Sequence, residues 1–262
     1  MTRIYTLVNQ KGGVGKTTSA INLGAYLGYF GQRVLLIDLD PQANATSSLG
    51  VDKNTVRHGT YDVLIGAAQP GPQILHNPRL KISLLPSSQA LAGAEIELVD
   101  VANRETRLRE AVRTLHDRYD YILIDCPPSL GLLTVNGLVA AAHGVIIPVQ
   151  CEYLALEGLG QLTQTIQRVR TSLYPDLRVR GVILTMYDGR TRLATDVVGE
   201  VRKHFPDQVF EAVIPRSIRL AEAPSYGKPI SLYAPESLAA KAYESLAREV
   251  LAGDGVHIPQ FN

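Results

Sequence analysis

A glycine-rich segment near the start of the chain carries the residues best suited to chemistry. Residues 9–18 read NQKGGVGKTT and directly follow an apolar run at residues 4–8 that is typical of a strand. A strand that leads into a glycine-rich turn and then a helix is the setting of a phosphate-binding loop. Glycines let backbone amides approach a ligand closely, and the helix N-terminus adds its positive dipole end. We therefore predict a phosphate site here.

Each position of this loop has an expected part in binding. Lys16 is expected to reach the terminal phosphates of a nucleotide, and the Thr17 hydroxyl is expected to ligate Mg²⁺. The alternative is a tight turn that binds nothing, but such a turn has no use for the GKTT ending. The residues predicted to contact the nucleotide are Lys11, Gly12, Gly13, Val14, Gly15, Lys16, Thr17 and Thr18.

The loop departs from the common pattern at its entrance, where Gln10 replaces the first glycine and Lys11 follows. A lysine there points away from the cradle and is better placed to meet phosphates presented by another subunit. This KGGxGKT[ST] form resembles the deviant Walker A loop of the ParA/MinD family of dimerising ATPases. The resemblance implies ATP and Mg²⁺ as cofactors, and catalytic parts for both Lys11 and Lys16, with Lys11 reaching across a dimer interface.

Carboxylates follow two of the predicted strands, in the segments VLLIDLDP and YILIDCPPS. Strand-terminal Asp residues lie beside the phosphate loop at the carboxyl edge of a parallel sheet. Asp125 fits a carboxylate held near Mg²⁺ through water, and Asp40 fits a residue that orients or activates the attacking water, also near the metal through water. Asp38 is interpreted as structural or metal-facing. The alternative is that these residues merely end strands or cap turns.

The elements that must position these groups alternate along the whole chain. Apolar, strand-like runs are separated by helical patterns, which predicts an α/β fold: a doubly wound, mostly parallel sheet with helices on both faces. Helices are predicted at residues 16–30, 104–118, 133–142, 156–173, 194–204 and 236–251. We expect one ATPase domain over residues 1–252 and a loosely ordered tail over residues 253–262.

Further motifs extend the resemblance over nearly the whole chain. DLDPQANAT and IDCPPSLGLLTVNGL look like the two switch motifs of the chromosomal ParA/Soj group, and IPRSIRLAEAPSYGKPI looks like its carboxyl-terminal motif. The resemblance implies an ATP-dependent sandwich dimer that binds double-stranded DNA without sequence preference. It also implies stimulation by a ParB-type centromere-binding protein, and it assigns Met186, Pro215 and Arg216 to the adenine.

Two arginines, Arg190 and Arg219, match positions that this group uses for DNA. Dimerisation would double a basic face, and phosphate contacts need no base readout. Residues 166–228 hold 11 Lys/Arg against 7 Asp/Glu, whereas the whole chain has a net charge of only +1. For each arginine alone, an ordinary solvated charge is the competing interpretation.

Composition fixes the general class but names no partner. A content of 45% hydrophobic and 19% charged residues is ordinary for a soluble globular protein. Two cysteines outside any CxxC pair predict no disulfide framework. With no signal peptide and no apolar run of membrane-spanning length, we expect a cytoplasmic protein without a membrane partner. The resemblance to the ParA/Soj group further implies association with the nucleoid.

Alternative functions share the loop but not the other motifs. A MinD-like membrane-cycling ATPase is the main one, and it should end in a basic amphipathic helix, whereas this sequence ends GDGVHIPQFN. An iron–sulfur carrier would need cluster cysteines at a dimer interface. A small-molecule kinase would not explain Lys11, and a non-catalytic scaffold remains open if Asp40 is inactive.

Overall fold

One eight-stranded sheet organises the part of the chain that the structure, a computed structural model, describes, namely residues 1–153 and 155–257. Its spatial order is β3-β4-β2-β5-β1-β6-β7-β8, and only β3 runs antiparallel to its neighbour. The predicted doubly wound, mostly parallel sheet is therefore confirmed. The strands are β1 (Arg3–Leu7), β2 (Val34–Asp38), β3 (Leu75–Asn77), β4 (Ile82–Leu85), β5 (Tyr121–Asp125), β6 (Val145–Gln150), β7 (Val179–Tyr187) and β8 (Val209–Pro215).

Helices cover both faces of this sheet. In chain order they are α1 (Lys16–Tyr29), α2 (Asn44–Ser48), α3 (Thr60–Ile65), α4 (Pro70–Gln73), α5 (Leu91–Glu97), α6 (Arg107–Arg113), α7 (Leu132–Ala140), α8 (Ala155–Ser172), α9 (Arg192–His204), α10 (Ile218–Glu222), α11 (Ile230–Tyr233) and α12 (Leu238–Gly253). None of the helices within the described ranges combines the length and apolar character that a membrane span needs.

Alternating side chains of the central strands build a separate core on each face. In β5, Tyr121 and Leu123 join the cluster that α1 and α12 complete, whereas Ile122 and Ile124 face the cluster completed by α3, α5, α6 and α7. Both sets are fully buried, which explains why the strands read as continuous apolar runs rather than alternating ones. Burial on both faces fixes the strand register and thereby the carboxyl edge.

Two predicted elements differ from the structure. The helix expected over residues 104–118 begins as a 3₁₀ turn at Arg104–Thr106 and ends as α6 at Arg113. The tail expected from residue 253 starts too early, because Gly253 closes α12 and the Asp254 side chain is only 4% exposed. Asp254 is held by hydrogen bonds to the sheet, so it belongs to the folded domain. Residues 258–262 of that predicted tail lie outside the described residues.

Candidate nucleotide-binding site

The loop between β1 and α1 has the backbone geometry of a phosphate cradle. Gly13 and Gly15 have φ angles of 74° and 86°, in the left-handed region that glycine adopts at little cost. A Cβ at Gly13 would meet no atom within 4 Å, so backbone conformation rather than crowding favours glycine there. α1 begins at Lys16 with no side-chain cap from Gly15. Its first amide groups are therefore left to bind a ligand.

Three hydrogen bonds fix the shape of this loop, and two of them join it to neighbouring strands. The Asn9 amide nitrogen donates to the carbonyl of Pro148 at 2.8 Å, and the Asn9 amide oxygen accepts from the backbone of Lys11 at 3.0 Å. The Thr185 hydroxyl donates to the carbonyl of Val14 at 2.8 Å. Because Pro148 lies on β6 and Thr185 lies on β7, the loop is preorganised by the sheet itself.

The two loop lysines have different surroundings. Lys16 is 7% exposed, and its Nζ donates to the carbonyl of Lys11 at 3.1 Å. Burial lowers the pKa of Lys16, while the nearby charge of Asp125 acts in the opposite direction. The side chain of Lys11 is half-buried and forms no hydrogen bond or ion pair with the side chains described for residues 1–153 and 158–257. Lys16 thus lies inside the cradle, and Lys11 lies at its entrance.

The predicted carboxylates meet at the carboxyl edge of the sheet. Strands β2 and β5 are neighbours, with Asp38 in register with Asp125. Asp125 is fully buried, and neither of its carboxylate oxygens has a hydrogen-bond partner among the described residues. Burial, and then the charge of Asp38, raises the pKa of Asp125 well above its usual value, while Thr17 and Lys16 oppose that rise. A buried carboxylate without a donor requires an additional partner.

Both carboxylate oxygens of Asp38, in contrast, accept hydrogen bonds from protein groups. One accepts from the backbone and hydroxyl of Thr46 at 2.8 and 2.6 Å, and the other accepts from the backbone of Asp40 at 3.2 Å. Thr46 Oγ1 in turn accepts from the backbone of Ser87 at 2.9 Å, and the Ser87 hydroxyl donates to the carbonyl of Asp40 at 2.8 Å. Of the two predicted roles for Asp38, the geometry supports the structural one.

We call Asp38, Thr46 and Ser87 the Asp40 clamp. Asp38 accepts from the Asp40 N–H, Ser87 donates to the Asp40 carbonyl, and Thr46 joins Asp38 to Ser87. All three residues are almost fully buried. Burial raises the pKa of Asp38 to about 6, while the hydrogen bonds from Thr46 act in the opposite direction. The clamp leaves the Asp40 side chain facing the cavity beside the glycine loop.

Two adjoining cavities form one cleft. The polar one, of about 320 Å³, lies against the glycine loop, Asp40 and Pro128. The other, of about 380 Å³ and mostly apolar, is lined by residues that include Ile214, Pro215, Arg216 and Tyr243. Gly15, Thr18 and Met186 border both cavities, and Met186 has a left-handed φ of 52°. A polar end joined to an apolar end matches the phosphates and base of a nucleotide.

The residues at the polar end fit a magnesium ion that is shared with phosphates. Mg²⁺ takes oxygen ligands and usually keeps several waters, with one or two carboxylates and substrate phosphates. The Thr17 hydroxyl and the Asp40 carboxylate border this cavity, and Asp125 lies close by with its oxygens unpartnered. Within the described ranges no group of three or more His, Cys, Asp or Glu side chains forms a metal site. The donor set therefore suits an ion that arrives with a nucleotide.

The two predicted DNA-contact arginines lie outside the cleft. Arg190, whose side chain is 88% exposed, forms an ion pair with Asp188 at 2.6 Å. Arg219 on α10 pairs with Glu222 at 3.0 Å, and the Tyr233 hydroxyl donates to the same carboxylate. Arg216, in contrast, borders the apolar cavity.

Several site residues escaped the sequence analysis. Thr46 lies inside the DLDPQANAT segment but was given no role there. Ser87 follows β4, the strand beside β2. Like Asp40, it is a polar residue just after a parallel strand, at the carboxyl edge of the sheet. Tyr243 reaches the apolar cavity from α12, and no local pattern distinguishes it from an ordinary core tyrosine.

Comparison with known proteins gives consistent matches. The family model described as AAA domain matches residues 2–179. The sporulation initiation inhibitor protein Soj of Bacillus subtilis is 53% identical over 96% of this chain and 99% of its own length. The chromosome-partitioning ATPase Soj of Treponema pallidum is 51% identical over 97% of this chain and 99% of its own.

A solved structure extends the similarity to the fold. The protein described as cobyrinic acid a,c-diamide synthase from Mycobacterium smegmatis, solved with bound ADP and magnesium, superimposes with a TM-score of 0.86. The two chains are 39% identical, and each is covered completely.

Proposed function

The chain belongs to the Soj/ParA family of chromosome-partitioning ATPases, and from this premise we propose that it couples hydrolysis of Mg-ATP to a DNA-binding dimer. It is an ATPase whose cofactors are ATP and Mg²⁺. The ATP-bound dimer binds double-stranded DNA without sequence preference on the nucleoid, and a ParB-type centromere-binding protein stimulates hydrolysis. Residues 1–254 act as one ATPase domain.

A single observation carries the nucleotide part of this proposal. The cleft joins a glycine cradle and an unpartnered buried carboxylate at one end to an apolar cavity at the other. The amides of residues 12–18 and the Lys16 ammonium bind the β- and γ-phosphates. Met186, Pro215 and Arg216 bind the base.

The Mg²⁺ that would accompany ATP would supply positive charge to the phosphates. The Thr17 hydroxyl would be one of its ligands, and Asp125 and Asp40 would hold it through water. Asp40 also orients the attacking water, because its side chain faces the polar cavity while the Asp40 clamp fixes its backbone. Holding the water in line with the phosphate lowers the barrier through positioning.

Lys11 links catalysis to dimerisation. Two ATP molecules that face each other across a two-fold axis concentrate negative charge at the interface. A lysine from each subunit neutralises that charge, and each contact occurs twice by symmetry. Lys11 is only half-buried, and the cavity beside the glycine loop is lined by Lys16 rather than by Lys11, which supports this role.

DNA binding depends on the dimer because it doubles a basic surface that includes Arg190 and Arg219. Both arginines are exposed and paired with nearby carboxylates. Ion pairs of this exposed kind are weak, about 1 kcal/mol or less, so DNA phosphates compete with them. Binding that rests on phosphate contacts is expected to weaken steeply with salt.

The test combines phosphate release, light scattering and fluorescence anisotropy on two unrelated duplexes. Asp40→Ala is expected to retain ATP binding, to release phosphate slowly and to accumulate as a dimer. Lys11→Ala is expected to bind ATP without dimerising. Wild-type phosphate release by Asp40→Ala, or ATP-driven dimerisation of Lys11→Ala, would contradict the respective roles.

The DNA surface has a matched control. Arg219→Ala is expected to weaken binding to both duplexes alike while preserving ATP-driven dimerisation. Arg248 is also an exposed helical arginine paired with a glutamate, Glu244 at 2.8 Å, so Arg248→Ala should leave DNA affinity unchanged. Equal losses in both variants, or a strong preference for one duplex, would refute the assignment.

A further inference from the structure

A second polar cavity lies at the opposite edge of the sheet, where the parallel strands begin. Its volume is about 420 Å³, and residues from β1, β7, the turn before β6 and the end of α12 line it. We call it the basic cavity; its charged and polar side chains are Arg3, Tyr5, His143, Arg178, Arg180 and Asp254.

Asp254 is the only carboxylate that lines this cavity within the described part of the chain. The hydroxyls of Tyr5 and Tyr121 donate to its two oxygens at 2.7 and 2.9 Å. Arg3 and Arg180 also contact it, at 3.4 and 3.2 Å. Its side chain is only 4% exposed, so four donors satisfy one buried carboxylate.

The charges around Asp254 do not balance. Arg3 and Arg180, with side chains only 27% and 20% exposed, share a single negative charge. Arg178 adds a third guanidinium at the rim, where it donates to the carbonyl of His143 at 3.2 Å. Partly buried cations are costly unless they are paired. A bound anion would remove this imbalance.

His143 supplies a donor of fixed direction. Its Nδ1 accepts the backbone N–H of Ile4 at 3.2 Å, which assigns the proton of the neutral ring to Nε2. Burial, followed by the charges of Arg3 and Arg178, lowers the pKa of His143, whereas Asp254 acts in the opposite direction and His116 adds to the lowering. The pKa of His143 therefore responds to the positive charges that line the cavity.

We propose that the basic cavity binds the phosphate group of a small phosphorylated molecule, at a site separate from the ATP cleft. Arg178 and Arg3 provide charged donors, since the planar fork of a guanidinium group can donate to two oxygens of one phosphate. A concave cavity with part-buried arginines suits a compact phosphate better than the extended backbone of a duplex, which binds to exposed surfaces. Arg178 is exposed, so it can be changed without disturbing the core.

The test follows the imidazole resonances of isotope-labelled histidine during titration with inorganic pyrophosphate, in the whole protein without Mg²⁺. His143→Gln identifies the His143 signal. Pyrophosphate is expected to shift that signal and to raise the pKa of His143, because an anion offsets the charges of Arg3 and Arg178. Lys16→Ala removes the glycine-loop site, so the His143 response must persist in that variant.

Arg178→Gln is the decisive variant. It is expected to raise the pKa of His143 in the free protein and to weaken pyrophosphate binding about tenfold or more, as expected for a charged hydrogen bond. Arg168, another exposed arginine, lies on α8 outside the cavity, so Arg168→Gln should bind like the wild type. ATP turnover should be unchanged in both variants.

Three results would overturn the proposal: no response of His143, a response lost in Lys16→Ala, or equal affinity of Arg178→Gln and the wild type. A short DNA duplex could also compete with pyrophosphate for the basic cavity. If the duplex, at an equal concentration of phosphate groups, reverses the shift of the His143 signal, the assignment to a small molecule is wrong.

Discussion

The two edges of the sheet treat a buried carboxylate in opposite ways. At the carboxyl edge, Asp125 is fully buried and has no hydrogen-bond partner among the described residues. At the amino edge, Asp254 is almost as buried but receives two tyrosine hydroxyls and two guanidinium groups. The two buried carboxylates differ in the hydrogen-bond donors and positive charges that the protein places around them.

This difference separates a functional carboxylate from a structural one. Asp254 connects the end of α12 to β1, β5 and β7, and it leaves an excess of positive charge around it. Asp125 is left for a ligand, because the chain accepts the cost of a buried, unpaired group only where something else is to occupy the space. We expect substitutions at the two positions to have opposite effects.

The largest expected effect is at the carboxyl edge. Asp125→Asn should reduce phosphate release by about 1,000-fold, the upper range for loss of one preorganised electrostatic contact. The same change should leave the free protein equally stable or more stable, because it removes a desolvated charge. Steady-state phosphate release and urea unfolding measure the two quantities.

A destabilised Asp125→Asn protein would break the comparison, since it would make Asp125 structural like Asp254. Asp38→Asn is the matched control. It changes a carboxylate that the protein does satisfy, at the register partner of Asp125. It should therefore destabilise the free protein.

The second effect is at the amino edge, and it concerns stability. Asp254→Asn should lower the free energy of unfolding by about 3 kcal/mol, because two part-buried guanidiniums lose their counter-charge. Affinity for ATP should stay within a factor of two, since the cleft lies at the other edge. Asp120→Asn, which breaks an exposed pair with Arg33, should cost about 1 kcal/mol or less. Equal costs in these two variants would contradict the buried-network interpretation.

Sequence patterns predicted most of the sheet but not its margins. The central strands are apolar on both faces, so their runs are unmistakable. Strand β3 reads LHN, and all three residues are exposed, so it carries no burial pattern. The α5 segment, LAGAEIE, is only two turns long with glycine inside it, and its position depends on packing against the sheet.

The candidate site divides in the same way. The loop residues lie within one glycine-rich segment, and Asp125 directly follows an apolar run, so the local sequence is enough to identify them. The Asp40 clamp joins residues 38, 46 and 87, which meet only because β4 pairs with β2. The excess positive charge around Asp254 could not be predicted from the sequence, because Arg3, Arg180 and Asp254 are far apart along the chain. Both arrangements are consequences of strand order, which the linear pattern does not specify.

The third effect is a pH dependence with opposite signs at the two edges. Burial raises the pKa values of Asp125 and Asp38, the latter to about 6, whereas Arg33 lowers the pKa of Asp120. A carboxylate whose pKa is raised by folding binds protons more tightly in the folded state, so stability falls as pH rises from the unfolded pKa toward the folded one. Asp120 instead adds stability above its unfolded pKa, and that stability is lost as pH falls.

Between pH 4 and pH 7 the free wild-type protein should therefore lose stability relative to Asp125→Asn. Urea unfolding of both proteins across this range measures the difference. Saturating Mg-ADP should reduce it, because the ligand compensates the carboxylate. A difference that is constant with pH would show that Asp125 has an ordinary pKa.

The smallest expected effect is at the carboxyl edge and tests whether the buried polar side chains of the Asp40 clamp hold the backbone of Asp40. Thr46→Val removes the hydroxyl that donates to Asp38 and accepts from the backbone of Ser87, while keeping nearly the same shape. Asp40 should then be held less firmly, so phosphate release should fall about tenfold, a loss of about 1.4 kcal/mol in transition-state stabilisation. Affinity for ATP should change little, because Thr46 does not border the cleft.

Thr46→Ser keeps the hydroxyl and should restore turnover, which separates positioning of Asp40 from simple loss of packing. If Thr46→Ser is as slow as Thr46→Val, or if both lose ATP affinity in proportion to turnover, the clamp does not position Asp40, and the carboxyl edge depends on its unpartnered Asp125 alone.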